Sequence, residues 1–238
     1  LRNPDGADYI APGDPRDSWG ITGSNGSAAA DYMQGGTAGI GATTVSSGPN
    51  SATYTTTTTS GLTVQQVFNF LAPNIVSIQE IITNVNNFDV SDVIFRRNVD
   101  FDIFPTAFQE NVVGPFGANA AVTGNSYDGF ENADPTNPFG NPCGPCNLIA
   151  DAGAGIDYSL GTLGAGKTSS FYFFYGINQP NQTLDELIAQ AQGLGVNYLI
   201  GLQSSDKDIH PNLGIGSGFL GVGPLGAVPE PATWMTMI

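Results

Sequence analysis

Charge is scarce in this chain, and positive charge scarcer still. Only 11% of its 238 residues are charged, against roughly 25% in an ordinary soluble domain. Six are basic and 21 acidic, a net charge of −15. A phosphate backbone needs a basic surface, so a nucleic-acid partner is excluded, and docking onto anionic lipid is excluded on the same ground. His210 is the single histidine. A histidine-based zinc cluster, or a Ser-His-Asp triad with a histidine to spare, therefore cannot be built within one chain. No run of about 20 apolar residues occurs to form a spanning helix. Leu1 opens the sequence with no initiator Met, basic n-region or apolar h-region, which reads as a processed or trimmed terminus.

Glycine and proline are abundant, at 32 and 16 residues, which argues against an all-helical fold. The 40% hydrophobic content suffices for a packed core and argues against wholesale disorder. Period-two alternation is the main signal. Across 93–104, Val93, Phe95, Arg97, Val99, Phe101 and Ile103 share one face, and Ile94, Arg96, Asn98, Asp100, Asp102 and Phe104 the other. The first set predicts a core face with Arg97 as the exception. The second reads as a charge-balanced outer face. Further strands are expected around 19–22 and 41–46, in the Thr run 53–59, and over 74–84, 108–113, 155–161, 169–176 and 197–203. Residues 62–71 fit helical spacing as well, but their neighbours favour a strand after a turn at Gly61. The 171–175 strand, aromatic on both faces, must be central or covered by something further. One helix is specified by the capping box Thr183/Glu186, followed by Leu184, Leu187, Ile188, Ala191 and Leu194. Residues 124–147 read as a long loop wrapping one end, and 211–226 as an irregular tail or short edge strands.

The expected fold is thus all-β: an antiparallel β-sandwich, jelly-roll or immunoglobulin-like, with one short helix and long Gly-rich loops. The expected units are an extended arm 1–14, a sandwich 15–205, a Gly-rich tail 206–227, and a distinct segment 228–238.

Two motif matches mislead. Gly161-Thr162-Leu163-Gly164-Ala165-Gly166-Lys167-Thr168 fits the phosphate-loop pattern, but that chemistry needs a following helix N-terminus, and a strand pattern follows. A Gly-rich hairpin is the expectation. Cys143-Gly144-Pro145-Cys146 is a dithiol motif, yet loops surround it and no βαβ pattern does. A loop-pinning disulfide is expected, with a redox pair, free thiols or a metal as alternatives. Asp128, Glu131 and Asp134 offer hard oxygen ligands for calcium, with a turn-forming loop as the alternative. Asp5, Asp8, Asp14 and Asp17 form a second such group. Trp19 and Tyr127 are candidates for stacking on sugars. No catalytic set stands out, and no cofactor other than calcium is suggested.

Val228-Pro229-Glu230-Pro231-Ala232-Thr233-Trp234 resembles the sorting signal of PEP-CTERM proteins. In that family Pro-Glu-Pro precedes a hydrophobic helix and a short basic tail, and an exosortase reads the signal. Pro229, Glu230 and Pro231 match the triplet, and residues 234–238 look like the opening of the helix, cut off. A looser likeness covers 76–203, including Asp92 to Thr106 and Leu163-Gly164-Ala165-Gly166 ahead of an aromatic strand. The resemblance implies an exported sandwich with a role at the envelope or in a biofilm matrix, and an exosortase as partner during export. The expectation is a non-enzymatic secreted or cell-surface structural protein, in its sharper form a fibre subunit whose ends 1–50 and 205–227 pair with a neighbour's sheet edge. A calcium-dependent module binding exopolysaccharide, and a secreted hydrolase using acids such as Asp100, Asp102, Asp128 and Glu131, are the alternatives.

Overall fold

Alternation along the chain becomes two facing antiparallel sheets and one short helix. The computed structural model describes residues 16–31, 36–103, 105–205 and 216–223. The arm 1–14, Phe104, His210, Asp5, Asp8, Asp14 and the Pro229-Glu230-Pro231 signal lie outside the described residues. Strands β1 (Asp17–Gly23), β2 (Gly26–Asp31), β3 (Gly36–Ala38), β8 (Val90–Asp100), β10 (Val122–Ser126) and β12 (Gly153–Leu163) make a six-stranded sheet, in the order β10-β12-β8-β1-β2-β3. Strands β4 (Ile40–Ser47), β5 (Ser51–Thr58), β6 (Leu62–Ala72), β7 (Ile75–Asn84), β9 (Glu110–Gly117), β11 (Cys146–Ala150), β13 (Thr168–Ile177), β14 (Tyr198–Ser204) and β15 (Ser217–Gly223) make the other. Its order is β11-β9-β14-β15-β13-β7-β6-β5-β4. Residues 62–71 are strand, as expected, and Gly61 takes φ +72° in the turn before β6.

The core lies between the sheets. Val93, Phe95 and Val99 of β8, with Ile156 and Tyr158 of β12, meet Phe171 and Phe173 of β13. Tyr158 stacks on Phe171 at 4.1 Å, and Phe95 packs edge-on to Phe171 at 5.8 Å. Helix α1 (Leu184–Gly193) covers the far side of the nine-stranded sheet. Its capping box is formed: Glu186 N donates to Thr183 Oγ1, and Thr183 N donates to Glu186 Oε2. Leu184, Leu187, Ile188 and Ala191 bury against Phe174, Leu199 and Phe219. The doubly aromatic strand is therefore both central and covered on each face, by the facing sheet and by α1.

Three expectations need correction. The segment read as tail or edge supplies β15, a central strand hydrogen-bonded to β13 and β14 and buried throughout. Its Leu220 and Val222 face the core, while Phe219 faces the helix. A Cβ on Gly221 would lie 2.6 Å from Val196 Cγ1, so glycine is what lets the strand fit there. Second, the phosphate-loop look-alike is not a hairpin: β12 and β13 belong to opposite sheets, and the turn is a corner between them. Third, the 124–147 segment does not wrap an end, and the Arg96/Asn98/Asp100 face is not solvated. The segment lies flat over that face of the six-stranded sheet. Arg96 Nη1 donates to the carbonyls of Asn132 and Asn137, both at 2.8 Å, and Asn98 Nδ2 to that of Glu131 at 3.0 Å.

Close seating of this loop requires bare backbone. A Cβ on Gly153 would lie 2.2 Å from the Val99 carbonyl oxygen and 2.4 Å from Gly129 Cα, whereas one on Gly144 would meet nothing within 4 Å. Gly153→Ala should therefore cost roughly 1–3 kcal/mol, the usual range for overpacking, and Gly144→Ala close to none. Paired urea denaturation curves check this, and equal midpoints would refute the seating.

Candidate functional site

The acids expected to hold calcium accept hydrogen bonds from the loop. Asp128 Oδ1 accepts from Phe130 N at 2.7 Å, and its Oδ2 from Asn141 Nδ2 at 2.9 Å. Glu131 Oε1 accepts from Ser126 Oγ at 2.9 Å and Asn141 N at 2.7 Å. Asp134 accepts from Ser27 Oγ and from the Thr136 amide and hydroxyl. Burial works to raise this carboxyl, but those bonds outweigh it and hold it below its ordinary range. Among the described residues no three His, Cys, Asp or Glu side chains come together as a set that could hold a metal ion. Cys143 and Cys146 form a disulfide, with Cα atoms 5.0 Å apart, pinning the loop where it enters β11.

Neither sugar-stacking candidate stands free. Trp19 is 5% exposed and stacks on Phe95 at 5.7 Å, with Tyr54 edge-on at 6.2 Å. It belongs to the core because it shares its strand face with Ile21. Tyr127 is half-buried, with its hydroxyl 3.3 Å from Asn141 Oδ1. At the phosphate-loop look-alike, the Ala165 amide donates to Asp89 Oδ1 at 2.9 Å, so the chain's own carboxylate occupies the place of an anion.

Two groups of titratable residues do gather. At the end of β8, Asp100 and Asp102 are 2% and 0% exposed, and Glu110 is fully buried at the start of β9. Asp100 Oδ1 and both oxygens of Asp102 have no hydrogen-bond partner. Glu110 accepts from the amides of Ile103, Phe108 and Ala152. Burial, then the charges of Asp102, Asp151 and Glu110, push Asp100 up to about 8, with Arg16 opposing. Burial likewise pushes Glu110 up to about 7, and burial with Asp151 pushes Asp102 up to about 6.

The second group ties the sheets together through the core. Arg97 Nη1 meets Glu80 Oε1 at 3.0 Å, its Nη2 meets Asp17 Oδ2 at 2.7 Å, and its Nε donates to the Tyr175 hydroxyl. Tyr175 donates on to Asp17 Oδ1 at 2.8 Å, and Gln66 Nε2 donates to both Glu80 oxygens. Burial drives Glu80 up to about 7, against the pull of Arg97 and Gln66. The nearby Asp17 carboxylate adds a smaller push in the same direction. Asp17 and Tyr175 also form the floor of a cleft of about 490 Å³ beside the β4–β5 turn. Nothing in the residue pattern marks this cleft, because its lining comes from positions far apart in the chain.

No protein-family model matches the chain, and no curated protein matches it. Among the described residues no helix is long and apolar enough to cross a membrane.

The acid group sets a pH dependence. Asp100 rises from 3.8 to about 8 on folding, so the folded state keeps a proton that the unfolded chain releases. Stability is then full below about pH 4 and is lost as pH climbs toward 8. The thermal midpoint should be higher at pH 5 than at pH 8. Asp100→Asn should raise the pH 8 midpoint by several degrees and leave that at pH 5 nearly unchanged. Calorimetry at both pH values reads this, and an equal shift at each would contradict it.

Proposed function

We propose that this chain is a non-enzymatic structural protein of the cell surface or extracellular matrix, a jelly-roll-like sandwich whose copies associate along a sheet edge. The observation that carries this reading is the β4 edge. Between Asp31 and Glu80 no residue is charged, in a chain of net charge −15. Strand β4 lies within that stretch, ends the nine-stranded sheet, and is exposed from Gly41 to Ser47. Edges open to water are ordinarily blunted by Lys, Pro or shortness. The edge strands β3, β10 and β11 are short, at three to five residues, whereas β4 has eight and carries neither Lys nor Pro. A neutral stripe is also where two strongly acidic copies meet with least repulsion.

This reading keeps the joining surface within 1–50 but places it on β4, a strand already built into the molecule's own sheet. The strand-exchange idea needs 1–50 and 205–227 to be free, yet β1, β2 and β15 within them are paired in the molecule's own sheets. Edge pairing through β4 needs no strand to be released. Export and sorting rest on the resemblance of Pro229, Glu230 and Pro231 to the exosortase signal. The non-enzymatic reading is supported by the burial of Asp100, Asp102, Glu110 and Glu80, the acids with raised proton affinity. Exopolysaccharide, as a matrix partner, rests on that same resemblance.

Association should appear as dimers or filaments in light scattering and electron microscopy of the purified protein. Val45→Lys places charge on a residue that is 71% exposed, so the fold should survive and association should fall at least about tenfold, the effect of roughly 1.4 kcal/mol. Monodisperse monomers across a range of calcium and protein concentrations would sink the proposal.

A further inference from the structure

The cleft over Asp17 and Tyr175 has the size, shape and polarity of a ligand site. Its volume of about 490 Å³ lies within the roughly 300–1,000 Å³ of small-molecule sites. Three aromatic side chains line it: Phe68 and Phe70, two residues apart on β6, and Tyr175 of β13. Phe70 is 58% exposed at the strand end, a large apolar group left in water. Asn50, Asn69 and Asp17 supply the polar lining.

Asp17 is held in place. Its two oxygens receive Arg97 Nη2 at 2.7 Å and the Tyr175 hydroxyl at 2.8 Å, so the carboxylate is oriented from beneath and its charge is balanced by Arg97. Arg97 is itself 2% exposed and also engaged by Glu80. Among the described residues no cation lines the cleft to receive an anion, and the −15 net charge opposes one. A cationic ligand would find Asp17, the carboxylate among the described lining residues, already paired. A wholly apolar ligand would strip water from Asn50, Asn69 and Asp17 without replacing its hydrogen bonds, which is unfavourable for each group left unmet.

We infer that the cleft binds a neutral saccharide unit. A pyranose ring has one apolar C–H face to lie on an aromatic side chain and a rim of hydroxyls to meet amides and a fixed carboxylate. That is the complement of Phe68, Phe70 and Tyr175 alongside Asn50, Asn69 and Asp17. The inference stands apart from association through β4: it uses the β4–β5 turn and the end of β6, and holds for a monomer.

Amide NMR titration of the purified protein with cellotetraose, maltotetraose and tetragalacturonate tests it. At least one of the two neutral tetrasaccharides should bind in the millimolar range and shift resonances of 47–52, 68–70, Asp17 and Tyr175. The anionic tetragalacturonate should bind at least about tenfold more weakly. Phe70→Ala, at an exposed position, should keep the thermal midpoint and weaken binding about tenfold. Asn69→Ala, also exposed, should weaken it by a smaller factor. Three results would each overturn the inference: no shift with either neutral sugar, shifts confined to other surfaces, or unaltered binding by Phe70→Ala. Tetragalacturonate binding as tight as the neutral sugars would also overturn it, because an anion would then be the ligand.

Discussion

Three guanidinium groups kept out of water hold this molecule to its shape. Arg16, Arg96 and Arg97 are 1–2% exposed, and they are half of the six basic residues in the chain. A buried cation is tolerable only when its donors meet acceptors. Arg96 shows how: it grips Asp157 with two nitrogens at 2.7 and 2.8 Å, gives two more bonds to loop carbonyls, and lies 3.8 Å from the Phe139 ring centre. Arg16 meets the rule in part: its Nη2 bonds Asp31 at 2.5 Å and the Glu131 carbonyl at 2.9 Å, while Nε and Nη1 have no hydrogen-bond partner. These two arginines fasten the long loop to the six-stranded sheet. Arg97 works on the other side of the same strand, in the core, joining β8 of that sheet to Glu80 and Tyr175 of the opposite sheet. Losing one partner of such a pair would cost about 3–5 kcal/mol, since the other charge stays buried.

This division of labour separates the acidic residues by role. Those of the loop accept hydrogen bonds within it, which hold the Asp134 carboxyl below its ordinary range. Those at the end of β8 are crowded, dry and inclined to keep their protons. Asp17 alone joins a buried network to an open cleft, because its carboxylate is one-third exposed while both oxygens are held. Sequence resemblance speaks to sorting, whereas the cleft and the bare edge speak to what the folded part can contact.

Much of the fold was legible because alternation is a direct record of which residues share a face. The assignment of Val93, Phe95, Val99 and Phe101 to the core holds, as do the Thr183/Glu186 cap and the Cys143–Cys146 link. Alternation does not record what covers a face. Asp100 was therefore read as part of an outer face, although the loop that covers it lies further along the chain. Glycine has no side chain to alternate, so β15 left almost no trace despite its central place. Trp19 carried a usable signal in its two-residue spacing from Ile21, but a turn-rich setting masked it. The cleft was illegible for a different reason: Asp17, Asn50, Phe70 and Tyr175 become neighbours only once both sheets exist.

The position of β15 has a consequence for how the molecule comes into being. It lies between β14 and β13, both of which precede it in the chain. Until residues 217–223 arrive, the larger sheet is two separate pieces flanking an open slot, with Phe219, Leu220 and Val222 missing from its two cores. The final architecture is thus withheld from a nascent chain, and the closing strand acts as a keystone set after the arch around it.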